Sequence, residues 1–236
     1  MEPAKRRDET KRGLKEEIKK LKEMSWKEIP GYLWGYYRFH ALAIIVILIG
    51  VYSFATTWIQ NNKPDIYNGM CINVISNKEH LDDYYKSSLA TYFQLEPNDY
   101  NASLQTNLMM NLEDNSMAEI NYSTTISLQA NLAAKEVDFI IGPKSTLETI
   151  ASSMGAFFNL ETTLSSERYN QYKESIVSAV NDEGETIPCL LDISKSTFVT
   201  NMEFENEEPL YIGFVLNSKR TNYLEPFIDY LFTTNP

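Results

Sequence analysis

Between Ala41 and Ile59 nineteen consecutive positions carry no charged side chain, and the first two thirds of the run are apolar on every helical face. A core helix of a soluble domain shows a polar stripe at the 3.6-residue period. Nineteen residues at 1.5 Å rise reach about 28 Å, close to the thickness of a bilayer's hydrocarbon core. The pattern therefore predicts a transmembrane helix over 41–59. After it, Gln-Asn-Asn-Lys-Pro-Asp-Ile at 60–66 reads as a polar linker. Apolar runs of strand length then recur at 70–75, 103–109, 137–141, 187–193 and 210–216. Helix-like stretches at 79–93, 117–134, 147–154, 167–180 and 223–232 separate them. This order predicts an α/β domain over 67–236, a single mostly parallel sheet with helices on both faces, preceded by one transmembrane helix. The length suits one ordinary core. Val137–Ile141 and Leu210–Leu216 read as buried central strands, Asn77 and Ser165 as helix N-caps, and Gly155 as a helix terminator.

Charge orients the chain. Residues 1–40 hold 11 Lys or Arg against 7 Asp or Glu, whereas residues 60–236 hold 10 against 25. Basic residues close to a span stay in the cytoplasm, so a single-pass topology is expected, with residues 1–40 cytoplasmic and the domain extracytoplasmic at the cell membrane. Trp26, Trp34, Tyr36, Tyr37 and Arg38 crowd the inner flank, where amphipathic side chains favour the headgroup region, and Trp58 marks the outer boundary. A cleaved signal peptide ending at Ser53-Phe54-Ala55 is the competing reading, against which stand the forty preceding residues. Leu14, Ile18 and Leu21 recur at helical spacing among basic residues over 8–24, which fits either an amphipathic helix on the inner leaflet or a solvated tail. Pro30-Gly31 is expected to break any such helix from the span.

Candidate chemistry is sparse. At the carboxyl ends of the expected strands stand Ser76 and Asn77, then Gly142, Pro143, Lys144 and Ser145, then Asn217 and Ser218. In an open α/β sheet such positions converge on a ligand. Backbone amides at Lys144 and Ser145, opening a helix, could hold an anion, although ordinary turn chemistry explains the same residues. Phosphate-loop and dinucleotide fingerprints are absent, as are Gly-x-Ser-x-Gly and His-Glu-x-x-His. His80 is the one histidine beyond the span, flanked by acids at a helix start, which reads as solvent-exposed. The acidic runs 182–185 and 203–208 lack the spacing of a calcium loop. Cys71 and Cys189 lie in separate strands, as a disulfide or as two buried thiols. The aromatic group Tyr84, Tyr85, Tyr92, Phe93 and Tyr100 reads as core packing before it reads as a binding surface.

The run Ala133-Ala-Lys-Glu-Val-Asp-Phe-Ile-Ile-Gly-Pro-Lys-Ser-Thr-Leu147, with Gly155 to Leu160 and Pro209 to Ser218, resembles one lobe of bacterial extracellular solute-binding proteins. That resemblance implies a membrane-anchored, reduced version of a fold that closes two lobes around a ligand. Here the interval corresponding to the second lobe, 143–186, spans only about forty residues. The expectation is a non-enzymatic binding or sensor-like domain. Its partners are the lipid bilayer and either a small-molecule ligand or a membrane protein. No cofactor or metal is expected, and the acidic balance argues against nucleic acid. A structural subunit of a membrane complex and a cell-envelope hydrolase are the alternatives.

Overall fold

The computed structural model describes residues 29–61, 63–96, 99–111 and 115–233, with Lys19, Lys22 and Ser25 before them. Trp26 and the expected amphipathic segment over 8–24, apart from Lys19 and Lys22, lie outside the described residues. The chain divides into two compact units at Asn62/Lys63, inside the stretch expected to be a linker.

Among the described residues the first unit holds the long helix α1 (Ile29–Asn61), with Lys19 and Lys22 also helical. Contrary to expectation, Pro30-Gly31 does not interrupt it. Pro30 falls in the first turn, where no intrahelical partner exists for the amide that proline lacks. Within α1 the segment Arg38–Ile59 is long and apolar enough to cross a membrane, and holds an 18-residue window of mean hydropathy 2.2 with no residue buried by protein. The Thr56 hydroxyl donates to the carbonyls of Tyr52 and Ser53 at 3.0 and 2.9 Å, so this polar group is satisfied within its own helix.

The second unit begins at Lys63 and is α/β. Its sheet has the order β2-β1-β3-β6-β5-β4, with β1 Gly69–Ile72, β2 Leu104–Leu108, β3 Phe139–Pro143, β4 Ile176–Val180, β5 Thr186–Asp192 and β6 Leu210–Phe214. β1 pairs parallel with β2 and β3, while β3–β6, β6–β5 and β5–β4 are antiparallel. The sheet is thus mixed, and the expectation of a mostly parallel one is corrected. The first three strands are joined by helical crossovers α2 (Leu81–Phe93) and α3 (Ala118–Ala134), which keep strands parallel. The second half is a hairpin, β4–β5, whose return strand β6 runs against β3. The hairpin was missed because residues 167–180 read as one helix. Its helix, α6 (Ser166–Tyr172), ends early, and Ile176, Val177 and Val180 extend as a strand up to a turn at Asn181–Gly184. Asn181 Oδ1 accepts from the amides of Glu183 and Glu185, and Gly184 supplies φ +83°.

Helices cover both faces, as expected. One face packs α2, the short α5 (Leu160–Thr163) and α7 (Thr197–Asn201), and α8 (Leu224–Phe232) against Cys71, Phe139, Ile141, Ile212 and Phe214. Its centre is aromatic: the Phe227 ring lies 4.6 Å from both Tyr67 and Phe139, and Phe198 meets Tyr85 edge-on at 6.3 Å. The buried Tyr85 hydroxyl donates to the Tyr67 carbonyl at 2.7 Å. The other face carries α3 and α4 (Lys144–Met154) over Met70, Ile72, Ile140, Cys189 and Leu190. Because alternate strand residues point to opposite faces, Cys71 and Cys189 fall into different cores. Their strands are separated by β3 and β6, about 14 Å at normal strand spacing. Both thiols are free, and a disulfide is excluded by that separation.

Ser165 caps α6, its Oγ accepting from Arg168 N, and Gly155 ends α4 with φ +55°, as their spacing predicts. Asn77 caps nothing: α2 starts four residues later, after His80 in a left-handed conformation. Ser196 caps α7, its Oγ accepting from Val199 N.

Candidate functional site

The mixed sheet decides where the candidate residues go. Because β6 runs against β3, the carboxyl end of β6 lies beside the amino ends of β1 and β3. We term this end proximal, since the chain joins the sheet there at Asp65, and the opposite end distal. Gly142 lies in the last residues of β3, and Ser76, Asn77, Lys144 and Ser145 follow β1 and β3 at the same distal end, whereas Asn217 and Ser218 follow β6 at the proximal end. The seven do not form one site.

All but Ser145 are also engaged locally. Ser76 Oγ donates to Met202 O at 2.8 Å, and Asn77 N donates to Glu203 O. Gly142 is buried where an added Cβ would stand 2.7 Å from the Ile72 carbonyl oxygen, which explains the glycine by close strand packing. Lys144 pairs with Glu148 one turn on at 3.4 Å, an exposed pair of small energetic weight. Asn217 Nδ2 donates to Leu132 O at 2.6 Å, tying the β6 exit to the end of α3. Ser145 lines an open groove of about 490 Å³ with Glu148, Thr149, Ser152, Ser178 and Thr186, between α4 and the β4–β5 hairpin.

Ser218 leads to the most organised polar group of the domain. Its hydroxyl donates to Asp138 Oδ1, and Asp138 is wholly buried. Asn68 N donates to Asp138 Oδ2 at 2.7 Å, and Arg220 Nε reaches both carboxylate oxygens at 3.0 and 2.8 Å. The same guanidinium touches Asp65 Oδ2 at 3.3 Å and the Lys135 carbonyl at 3.4 Å. Asn68 Oδ1 in turn accepts from Ser103 N at 2.9 Å. Burial raises the Asp138 carboxyl above the usual carboxylate range against the opposing pull of Asn68, Ser218 and Arg220. Asp65 is likewise raised by burial, with Arg220 opposing. Both carboxylate oxygens of Asp138 are spent on internal partners, so the cluster joins the start of the α/β domain, the α3–β3 loop and the β6 exit, rather than presenting a free carboxylate. Arg220 was missed from sequence. The signal was Asp138 itself, an acid inside an apolar run, which requires a partner when buried.

A second feature missed from sequence is the inverted face of α3. Its buried positions include the polar Asn121 and Thr124. Asn121 exchanges hydrogen bonds with the Asn111 backbone at 2.6 and 2.7 Å, and Thr124 Oγ1 donates to Met109 O at 2.8 Å, closing the distal exit of β2. Leu128 joins them inside, whereas Ile120, Tyr122 and Ile126 face outward, 48, 71 and 47 % exposed. From Ile120 to Ala134 the helix carries no charge, in a domain holding 25 acidic residues. That run was the legible signal.

On the first unit, Trp34 and Trp58 are exposed, Trp58 lies 6.1 Å from the Phe54 ring, and the Arg38 guanidinium sits 4.8 Å from the Phe39 ring. Tyr36 and Tyr37 fall within α1. Among the described residues no group of three His, Cys, Asp or Glu side chains is placed to hold a metal, and His80 is exposed. No family model, no curated protein and no solved structure matches the chain.

Proposed function

We propose that this is a single-pass membrane protein, with residues 1–40 cytoplasmic and the α/β domain extracytoplasmic, whose outer domain works by binding another protein. The observation that supports this best is the division of the candidate ligand residues between the two ends of a mixed sheet, with Ser76, Lys144, Asn217 and Ser218 held by partners of their own. A ligand lobe needs polar groups that converge on one concave place. The exposed, uncharged face of α3 is instead the kind of surface that a protein covers. The resemblance to one lobe of solute-binding proteins is then a likeness of layered architecture, with the ligand-enclosing second lobe replaced by the short α5–α6 segment and the β4–β5 hairpin. The reading assigns no reaction and no cofactor to the chain.

Purifying the full chain in mild detergent and following its thermal unfolding against amino acids, peptides, sugars, polyamines and inorganic anions tests the reading. It expects a protein companion or a second copy in stoichiometric amount, with no small molecule shifting the midpoint. A ligand at a hundred times its dissociation constant adds about 2.7 kcal/mol. A reproducible shift of that size from one small molecule would return the domain to solute binding.

A further inference from the structure

We infer that the outer face of α3 pairs with α3 of a second copy of this chain, antiparallel and centred on Ile126. Glu119, Tyr122, Ile126, Gln129 and Ala133 stand three and four residues apart, so they form one seam along the helix. The seam lies opposite the buried Asn121, Thr124 and Leu128, and all five of its side chains are exposed.

Self-complementarity identifies the occupant. A two-fold axis through Ile126 sets Ile126 against its own copy and brings Tyr122 over Ala130, a large side chain into the space left by a small one. Glu119 then falls opposite Ala133 of the second copy, with that copy's Lys135 two residues further on, so the one acid of the seam meets a base at each end. A parallel arrangement would stack Glu119 on Glu119 and leave both lysines facing each other. The domain's 25 acidic against 10 basic residues repel a second copy over most of the surface, and the charge-free run Ile120–Ala134 lets two copies meet without opposing carboxylates. Two 17-residue helices give a contact about 25 Å long, at the small end of stable interfaces. Confinement of both copies to one membrane raises their effective concentration, and here the inference rests on the anchorage proposed above.

The test uses the full chain reconstituted in lipid nanodiscs, where Cys71 and Cys189 are buried and give no background. Ile126→Cys alone is expected to form a disulfide-linked dimer on mild oxidation with diamide. A mixture of Tyr122→Cys and Ala130→Cys chains should cross-link at least tenfold more than either chain by itself. Ile126→Asp should reduce the protein mass per disc from two chains to one, each of 27.2 kDa. Ile126→Ser should also lower the dimer fraction, and guards against a folding defect of the aspartate variant. Failure of Ile126→Cys to cross-link, or a dimer unmoved by Ile126→Asp, would overturn the pairing. A monomer that co-purifies with a different stoichiometric protein would overturn it while leaving the protein-binding reading in place. A small-molecule thermal shift would remove that reading instead.

Discussion

Replacing Arg220 with leucine isolates the buried charge cluster. In the folded domain Asp138 is fully buried, and Arg220, only 11 % exposed in its side chain, supplies two of the four hydrogen bonds to its carboxylate. Arg220→Leu leaves the acid with Asn68 N and the Ser218 hydroxyl alone. Breaking a buried pair by removing one partner costs about 3–5 kcal/mol, because the remaining charge is uncompensated. The Asp138 carboxyl is already raised by burial, so protonation relieves part of the penalty and places the loss nearer the lower figure. For a domain of this size each kcal/mol moves the unfolding midpoint by about 2–4 °C, giving a fall of about 6–20 °C. Lys144→Ala removes the exposed Lys144–Glu148 pair and should stay within about 0.5 kcal/mol of the parent. Reaction of Cys71 and Cys189 with a thiol-activated fluorophore during heating of the full chain in detergent reads the outer domain alone, since both thiols are buried there. An Arg220→Leu midpoint within 2 °C of the parent, against the ~6 °C minimum expected, would refute the account of the cluster.

Other expectations concern packing, protons and thiols. Gly213→Ala places a Cβ 2.5 Å from the Phe157 ring in the middle of β6, and thermal unfolding should show a loss of about 1–3 kcal/mol; an unchanged midpoint would mean that the ring moves freely. Burial raises Asp65, so the folded domain binds that proton where the unfolded chain is still ionised, and stability falls as pH rises from about 4 through the raised value. Asp65→Asn should therefore flatten the slope of midpoint against pH in that window, and an equal slope would contradict the assignment. Burial pushes the Cys189 thiol up to about 11 and Cys71 higher still, so alkylation at pH 8 should modify neither native thiol and both after denaturation, with no oxidised form. A mass two protons lighter in the denatured, unreduced chain would contradict the separation of the two cores.

Hydrophobic periodicity located five of the six strands and the long helices to within a few residues, because β3, β5 and β6 carry short runs of Ile, Leu or Phe and β1 lies in the apolar stretch Met70–Ile75. β4 was concealed by continuity: Glu167 to Val180 contains no proline or glycine, and only the Ile-Val start and the Asn-Asp-Glu-Gly turn mark the change. Strand direction was not legible, since it depends on whether a connection crosses a face or turns back, and the intervals around β4 and β5 hold short helices that give no such sign. That one property moved Asn217 and Ser218 to the end of the sheet opposite Lys144, dissolving the expected ligand site. Asp138 announced a buried acid, but its partner lies 82 residues away among ten basic residues, and only the fold selects Arg220. The α3 seam was written in composition, yet periodicity alone assigns apolar residues to the inside, and here Asn121 and Thr124 take that place to satisfy the β2 exit.

The central claim, a domain held outside the membrane by α1, is tested by labelling single introduced cysteines with a membrane-impermeant maleimide in intact cells. Glu183→Cys in the exposed β4–β5 turn should react before lysis, and Lys19→Cys only after it, with the protein remaining in the membrane fraction after alkaline extraction. Labelling of Lys19→Cys in intact cells with Glu183→Cys protected, or release of the chain by alkali, would contradict it.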